Sequence, residues 1–354
     1  MEPRRLILAN FQSPGDIVML TAAVRDLHQT FPGAFLTDVR TPCPALWENN
    51  PHITRIPDDD RRAERIECHY PLIHRSNELP YHFVQAFSAF LGDRLGVRID
   101  TTGFKGDIHL SQREKSWMSQ VHEILGADMP FWIIVAGGKR DFTIKWWASE
   151  RFQAVVDHFR GRVLFVQAGE NKHHHPRLRG VIDLVGKTDL RQLVRLVYHA
   201  QGVLSPVTLH MHLAAAVDVK GGLPKHRPCV VVAGGREPPH WEAYPHHQFV
   251  HTVGALRCCD YGGCWRSRTV ALGDGDKKDA PGLLCVDRVG DLPRCMHMIT
   301  PDEVVHRIER YFDGGAVRYL NQTERRIAVE AIDRRSAPIS RPNGVAALAG
   351  SVQG

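Results

Sequence analysis

Ser13-Pro14-Gly15-Asp16-Ile17-Val18-Met19-Leu20-Thr21-Ala22-Ala23-Val24 is the stretch that decides the fold. It follows RRLILANF (4–11), an apolar run of strand length. Pro-Gly then turns the chain, and from Ile17 to Leu27 apolar residues recur at helical spacing. Strand, tight turn and helix form the opening unit of an α/β fold, which leaves Asp16 and the free amides of the helix start at the C-terminal edge of a parallel sheet. A second stretch of the same build, SPVTLHMHLAAA (205–216), follows another apolar run. Together they predict a crevice between two α/β units, with the Asp16 carboxylate on one wall and an anion-binding helix start on the other.

Outward from the first stretch, Leu36 to Val39 reads as a second strand and Asp58-Asp59-Asp60-Arg61-Arg62 as a polar exposed loop. Phe83, Val84, Phe87, Phe90, Leu91 and Leu95 make a helical stripe over Tyr81–Leu95, most simply a core face. Ile108 to Leu110 looks like a strand, and Ser111 to Leu125 a helix leaving the first half. A new series follows: FWIIVAGG (131–138), RVLFVQAG (162–169), GVLS (202–205) and CVVVAGG (229–235), with helices at about 149–160, 189–200 and 210–217. Strands alternating with helices of this length imply a parallel sheet covered on both faces.

The expected organisation is therefore a Rossmann-like unit over 1–125 and a second over 126–313, the latter interrupted by a cysteine-rich segment at 255–297. Thr300-Pro301-Asp302-Glu303 caps a helix to about Phe312. A C-terminal helical stretch is expected within 314–333, over 321–333, and a Ser/Pro/Gly/Ala-rich disordered tail from Arg334 to Gly354.

The chain of 354 residues is long enough for two cores, with 43% hydrophobic and 8% aromatic residues. A formal charge of +6 suits either a phosphate-receiving cleft or plain solubility, and the cations are too scattered to call for nucleic acid as a partner. No secretory leader is recognisable and no apolar run approaches the roughly 18 residues of a membrane span. The expected location is the cytoplasm, with at most peripheral membrane contact.

Four elements carry candidate chemistry. Gly15 permits the turn that seats Asp16, whose simpler role is to cap the helix. Gly137-Gly138, followed by Lys139, Arg140 and Lys145, lets a phosphate approach the backbone near compact cations. Gly186-Lys187-Thr188 looks like the end of a P-loop, but the upstream glycine of that motif is missing, so an ATPase is excluded and Thr188 reads as a helix N-cap. Thr208 and the amides of the 205–216 helix can hold phosphate oxygens, and His212 can donate to them, although a lone histidine is as readily structural.

Five of the eight cysteines, Cys258, Cys259, Cys264, Cys285 and Cys295, are clustered near the C-terminus. Clustered thiols in a cytosolic protein favour a metal over disulfides. Cys259, Cys264, Cys285 and Cys295 are the expected ligands of one structural ion, with Cys258 spare and zinc the default metal. His173-His174-His175 and Asp58-Asp59-Asp60 read as solvated loops, and Trp241 either stacks on a base or covers a sheet edge.

The order of these motifs resembles glycosyltransferase family 9, the heptosyltransferase-like enzymes. Ser13, Gly15 and Asp16 match its first motif, Lys145 and Trp146 its second, Gly186, Lys187, Thr188 and Leu190 its third, and Thr208, His212, Leu213 and Ala214 to Ala216 its fourth. Val207 and Leu209 replace the family's aspartate and glycine around Thr208, which leaves the donor's identity open.

The resemblance implies a GT-B fold, two Rossmann-like domains facing each other across a cleft. It further implies inverting transfer from a nucleotide-diphosphate sugar, ADP-heptose-like, to a hydroxyl of a glycan, a lipid-linked glycan or a protein. Asp16 would be the general base, and Lys145, Thr208, His212, Gly15, Gly137 and Lys187 the donor-binding set, with no cofactor required for the chemistry. Related autotransporter heptosyltransferases make iron the alternative to zinc at the cysteines. The rival readings are a non-catalytic binding member of the family and a cysteine-metal module that binds nucleic acid.

Overall fold

The computed structural model describes residues 2–336. In the first half, β1 (Arg4–Ala9) runs parallel to β2 (Phe35–Arg40) on one side and to β3 (Ala63–Glu67) on the other, and α1 (Pro14–Thr30) leaves the C-terminal end of the central strand. α2 (Phe83–Leu95) packs on α1 through Phe83, Val84, Phe87 and Leu91; His82 caps its start with Gln85, and Gly96 ends it in the left-handed conformation at φ 69°. α3 (Gln112–Lys115) and α4 (Gln120–Leu125) lead into the second half.

There the strands are β4 (Trp132–Ile134), β5 (Phe165–Gln167), β6 (Ile182–Asp183), β7 (Gly202–Pro206), β8 (Cys229–Gly234) and β9 (His247–His251). All pair in parallel in the order β6-β5-β4-β7-β8-β9. With β4 counted as the first strand this is 3-2-1-4-5-6, the doubly wound order whose ligand crevice opens where it reverses, between β4 and β7. α5 (Ser149–His158), α6 (Leu190–His199) and α7 (Leu209–Ala216) form the crossovers.

Short elements follow: α8 (Pro239–Glu242), a hairpin of β10 (Arg288–Val289) and β11 (Leu292–Pro293), and α9 (Arg294–His297). α10 (Pro301–Asp313), capped by Thr300, and α11 (Gln322–Ser336) close the described chain. β4 and β8 are buried on both faces, as parallel strands under helices must be. Ile133 and Val231 point into a core shared with the first half, whereas Ile134, Val230 and Val232 point into a second core under α5 and α10. A single apolar core thus runs from Leu6 in β1 to Trp241 after β8.

Several elements differ from expectation. β3 has only one buried apolar side chain, Ile66; its charged residues sit at the sheet edge, where Arg4 pairs with Glu64, so no hydrophobic alternation marks it. Ile108 makes no strand of the first sheet but a single parallel bridge to Val217 of the second half. The helix expected over 111–125 is two helices: Ser111 caps the first with Glu114, Ser119 caps the second by accepting from His122, and Trp117 and Met118 between them are exposed.

Asp189, not Thr188, caps α6, forming a capping box with Gln192. α11 extends through Ser336, past the expected boundary at Arg334, and the remainder of the expected tail lies outside the described residues.

Arg227 fixes the helix that borders the crevice. Only 2% exposed, it donates to the carbonyls of Ala214 and Val217 at the end of α7, of Ala200 after α6, and of Asp218. A cation at a helix C-terminus is favoured by the dipole, and a buried carbonyl that loses its donor is costly. Arg227→Met is therefore expected to cost about 3 kcal/mol or more, since several buried acceptors lose a charged donor at once; the midpoint of urea denaturation measures it.

Candidate functional site

α1 and α7 meet end against end. A Cβ added to Gly15 would lie 3.1 Å from His212 Cδ2, tight enough that a side chain there would press on the imidazole. The two helix starts and the C-terminal ends of β4, β7 and β8 enclose a cleft of about 780 Å³ that Gly15, Asp16, Gly137, Lys145, Thr208 and His212 all line. Lys139 spans it by donating to Ser13 Oγ at 2.9 Å.

Asp16 stands in the first turn of α1. Burial raises its pKa; the Tyr70 hydroxyl, donating to Oδ1 at 2.5 Å, and the charge of Lys145 oppose the rise. Gln12 donates in turn to the Tyr70 oxygen at 3.2 Å, so one carboxylate oxygen is held and the group is oriented. A carboxylate with a raised pKa at a cleft wall is suited to accept a proton.

On the facing wall, Thr208 caps α7 by accepting from the His210 amide at 3.4 Å. His212 Nδ1 lies 2.7 Å from the Tyr244 hydroxyl, whose proton prefers an imidazole nitrogen to the thioether of Met19 at 3.1 Å. Nε2 then carries the hydrogen. Burial, followed by the charge of Lys145, lowers the His212 pKa to about 3, so the ring is a neutral donor. Val207 and Leu209 also line the cleft, giving this helix start an apolar border.

Gly137 has φ 110°, and a Cβ there would strike the His174 carbonyl oxygen at 2.0 Å. Freed of that clash, Gly138 and His174 exchange both backbone hydrogen bonds, and the His174 ring stacks on Trp146 at 4.3 Å. The three histidines expected to be solvated are instead half-buried, with His173 and His175 in the cleft wall.

Lys145 Nζ pairs with Glu237 Oε1 at 2.6 Å. Burial alone would raise Glu237, but Arg236 and Lys145 outweigh it and hold the carboxyl below its usual range. For Glu242 the balance goes the other way: burial, and then the charge of Glu237, outweigh Lys145 and Arg236 and push it up to about 8.

Lys187, expected at the donor, is not brought there. Its ammonium donates to the Asp183 carbonyl at 2.8 Å and is outside the cleft lining, because the turn at Gly186 directs it back along β6. Trp241 neither covers an edge nor stands open; it is 1% exposed and stacks on Phe83 of α2 at 5.2 Å, joining the two halves beside the cleft. Tyr70, Glu237 and Glu242 have no counterpart in the sequence reading. The loop after β8 was legible only through Trp241, although the adjacent acid of GGREPPHWE was the available signal.

The cysteine segment forms part of the same wall. Trp265, at φ 52°, and Lys278 line the cleft, and the Arg236 guanidinium lies between the Phe142 and Trp265 rings at 4.8 and 5.1 Å. Among the described residues, no three His, Cys, Asp or Glu side chains converge as an ion site. Cys258, Cys264, Cys285 and Cys295 are nonetheless mutual electrostatic neighbours: burial first, and then the charge of Cys259, Cys264 and Cys285, raises Cys258 to about 11, and burial with the charge of Cys264, Cys285 and Cys258 raises Cys295 to about 12. Cys259 Sγ faces the carbonyls of Leu256 and Thr252 at 3.4 and 3.6 Å. Asp58 is held by Arg40 and Arg65, and Asp60 by Arg5. Among the described residues, no helix is long and apolar enough to cross a membrane.

Residues 58–224 match the model of glycosyltransferase family 9 (heptosyltransferase). A search of curated proteins found no match. Among solved structures, the chain is similar to a family 9 glycosyl transferase from Veillonella parvula, with TM-score 0.58 and 14% identity over 89% of this chain and 98% of that one. It is similar to E. coli ADP-heptose lps heptosyltransferase II, with TM-score 0.53 and 14% identity over 89% and 100%. The iron-containing dodecameric glycosyltransferase TibC of enterotoxigenic E. coli gives TM-score 0.60 and 16% identity over 88% and 77%. At these identities the structural likeness speaks for the fold, which is GT-B. The family 9 match over residues 58–224 thus lies within a GT-B fold and agrees with the motif order read from the sequence.

Proposed function

We propose that this protein transfers a heptose-like sugar from an ADP-linked donor to a hydroxyl of a glycan or protein, with inversion at the anomeric carbon. One observation carries the reading: an oriented carboxylate with a raised pKa, Asp16, faces the start of α7 and the neutral donor His212 across one cleft. The 1–125 unit takes the acceptor and the 126–313 unit the nucleotide, at the strand-order reversal where phosphates meet helix amides. E. coli heptosyltransferase II is named for ADP-heptose, and TibC has been solved with ADP-D-beta-D-heptose, which supports the donor class. The reaction is placed in the cytoplasm, where nucleotide sugars are made.

Asp16 takes the acceptor's hydroxyl proton while that oxygen attacks the anomeric carbon from the face opposite the diphosphate. The bond from that carbon to the phosphate oxygen breaks, and the charge passes to ADP. Lys145, Thr208, the α7 amides and the His212 Nε2–H stabilise it. A single displacement inverts the configuration.

Asp16→Asn should lower turnover at least about 100-fold while ADP affinity stays within a few-fold, because only the proton acceptor is lost; product release by chromatography and calorimetry of ADP binding measure the two. Turnover at the wild-type rate would refute the base assignment.

The raised pKa of Asp16 also fixes the sign of the pH dependence. The ionised form is the active one, so kcat falls as pH drops through that pKa. Tyr70→Phe removes a hydrogen bond that lowers it, and the acid limb of the kcat profile should move to higher pH.

The cysteine segment is proposed to hold one structural zinc or iron. All six pairs among Cys258, Cys264, Cys285 and Cys295 are electrostatic neighbours, and four thiolates suit a tetrahedral ion; Cys259, whose sulfur faces the Leu256 and Thr252 carbonyls, is the alternative to Cys258 in that set. A bound ion would supply rigidity to 255–297 and no step of the reaction. Elemental analysis should find about one ion per chain, retained in Cys259→Ser and lost in Cys258→Ser; the reverse pattern restores the expected ligand set.

A further inference from the structure

Four buried polar atoms of the cleft lining have no hydrogen-bond partner among the described residues: Trp146 Nε1, His210 Nε2, Glu237 Oε2 and Glu242 Oε2. A buried polar group left unsatisfied is costly, so several gathered on one wall point to a ligand rich in hydroxyls or other polar atoms that completes them. Glu242 is the most informative. Its side chain is only 6% exposed, and Oε2 lies 3.6 Å from His212 Nε2, beyond hydrogen-bond reach. It also sits close enough to Asp16 for the two charges to interact.

Glu242 thus adjoins both the proposed base and the imidazole proposed for the leaving diphosphate. In any single displacement the transferred sugar must lie between those two groups. α8 holds the residue rigidly there: Pro239 opens the helix, Ala243 N closes it on the Pro239 carbonyl, and the neighbouring Trp241 is clamped on Phe83.

We propose that Glu242 binds a hydroxyl of the transferred sugar and contributes to the selection of that sugar. The inference rests on the donor reading above. A neutral carboxyl both donates through its O–H and accepts through its carbonyl oxygen, which matches the two roles of a sugar hydroxyl. The groups around it are Asp16 from α1, Tyr70 and His82 from the first half, Lys145 from the loop after β4, His212 from α7, and Arg236, Glu237 and Tyr244 from the loop after β8. Burial and the Glu237 charge keep it protonated at neutral pH, against the cations Lys145 and Arg236.

Calorimetric titration with ADP and with ADP-heptose separates the nucleotide from the sugar. Wild-type protein is expected to bind ADP-heptose more tightly than ADP. Glu242→Leu should weaken ADP-heptose about tenfold, the scale of one well-made hydrogen bond to a buried partner, and leave ADP within twofold. Glu242→Gln, a neutral isostere, should keep the sugar preference at both pH 6 and pH 9. Wild type should lose it on passing from pH 7 to pH 9, as Glu242 ionises.

An undiminished preference in Glu242→Leu, or an equal loss for both ligands in both variants, overturns the assignment while leaving the donor reading standing. Wild-type protein that binds neither ligand overturns the donor reading and this one with it.

Discussion

The contact of Gly15 with the His212 ring is the constraint on which the rest of the site depends. It sets the start of α1 against α7, which follows a strand of the other sheet, with the His212 ring between them. Each helix start brings unsatisfied amides and a partial positive charge, so their close approach creates a region where an anion is favoured and a carboxylate can be stabilised. The apolar core that continues from β1 to the loop after β8 makes the approach permanent, with Trp241 on Phe83 as its seal near the cleft. A larger residue at position 15 would press on the His212 ring and shift it against the start of α1.

Charge in so enclosed a space has to be balanced locally. Lys145 and Arg236 are committed to Glu237, which stays ionised because two cations outweigh its burial. At Glu242 burial and the Glu237 charge outweigh those same cations, and His212 beside Lys145 has no reason to take up a proton. Asp16 lies between these cases, raised by burial and held back by a phenol and a lysine. The cleft therefore contains one carboxylate tuned to accept a proton, one acid tuned to keep it and one imidazole tuned to donate without charge, all by placement rather than by residue type.

The cysteine segment is bound to this arrangement more closely than an appended loop would be. Cys264 N and Trp265 N donate to the carbonyls of Gly235 and Arg236, Thr269 pairs with Thr143, and Asn77 of the first half accepts from Gly263 N and Trp265 Nε1. Trp265 pays for its left-handed backbone with these bonds, the kind of strain that persists only where the surroundings over-determine it. Its ring and Lys278 thereby reach the cleft, so the integrity of 255–297 and the shape of the substrate wall are physically coupled.

Periodicity and turn chemistry in the sequence determined the doubly wound second half, both helix starts, and Asp16, Thr208 and His212 as cleft residues, because strand-turn-helix units and caps are local events. Strand β3 was hidden by its charged edge, and the 111–125 break by two serine caps inside one apolar pattern. Tyr70, Glu237 and Glu242 were beyond sequence reading for a different reason. Each acts through a partner 54, 92 or 30 positions away, as Tyr70 does on Asp16, Glu237 on Lys145 and Glu242 on His212. The same holds for Lys187, whose motif looked right until the fold turned its ammonium to Asp183. Local sequence decides which backbone amides and side chains stand at a strand's end; burial and long-range neighbours decide their charge, and only the tertiary structure supplies those.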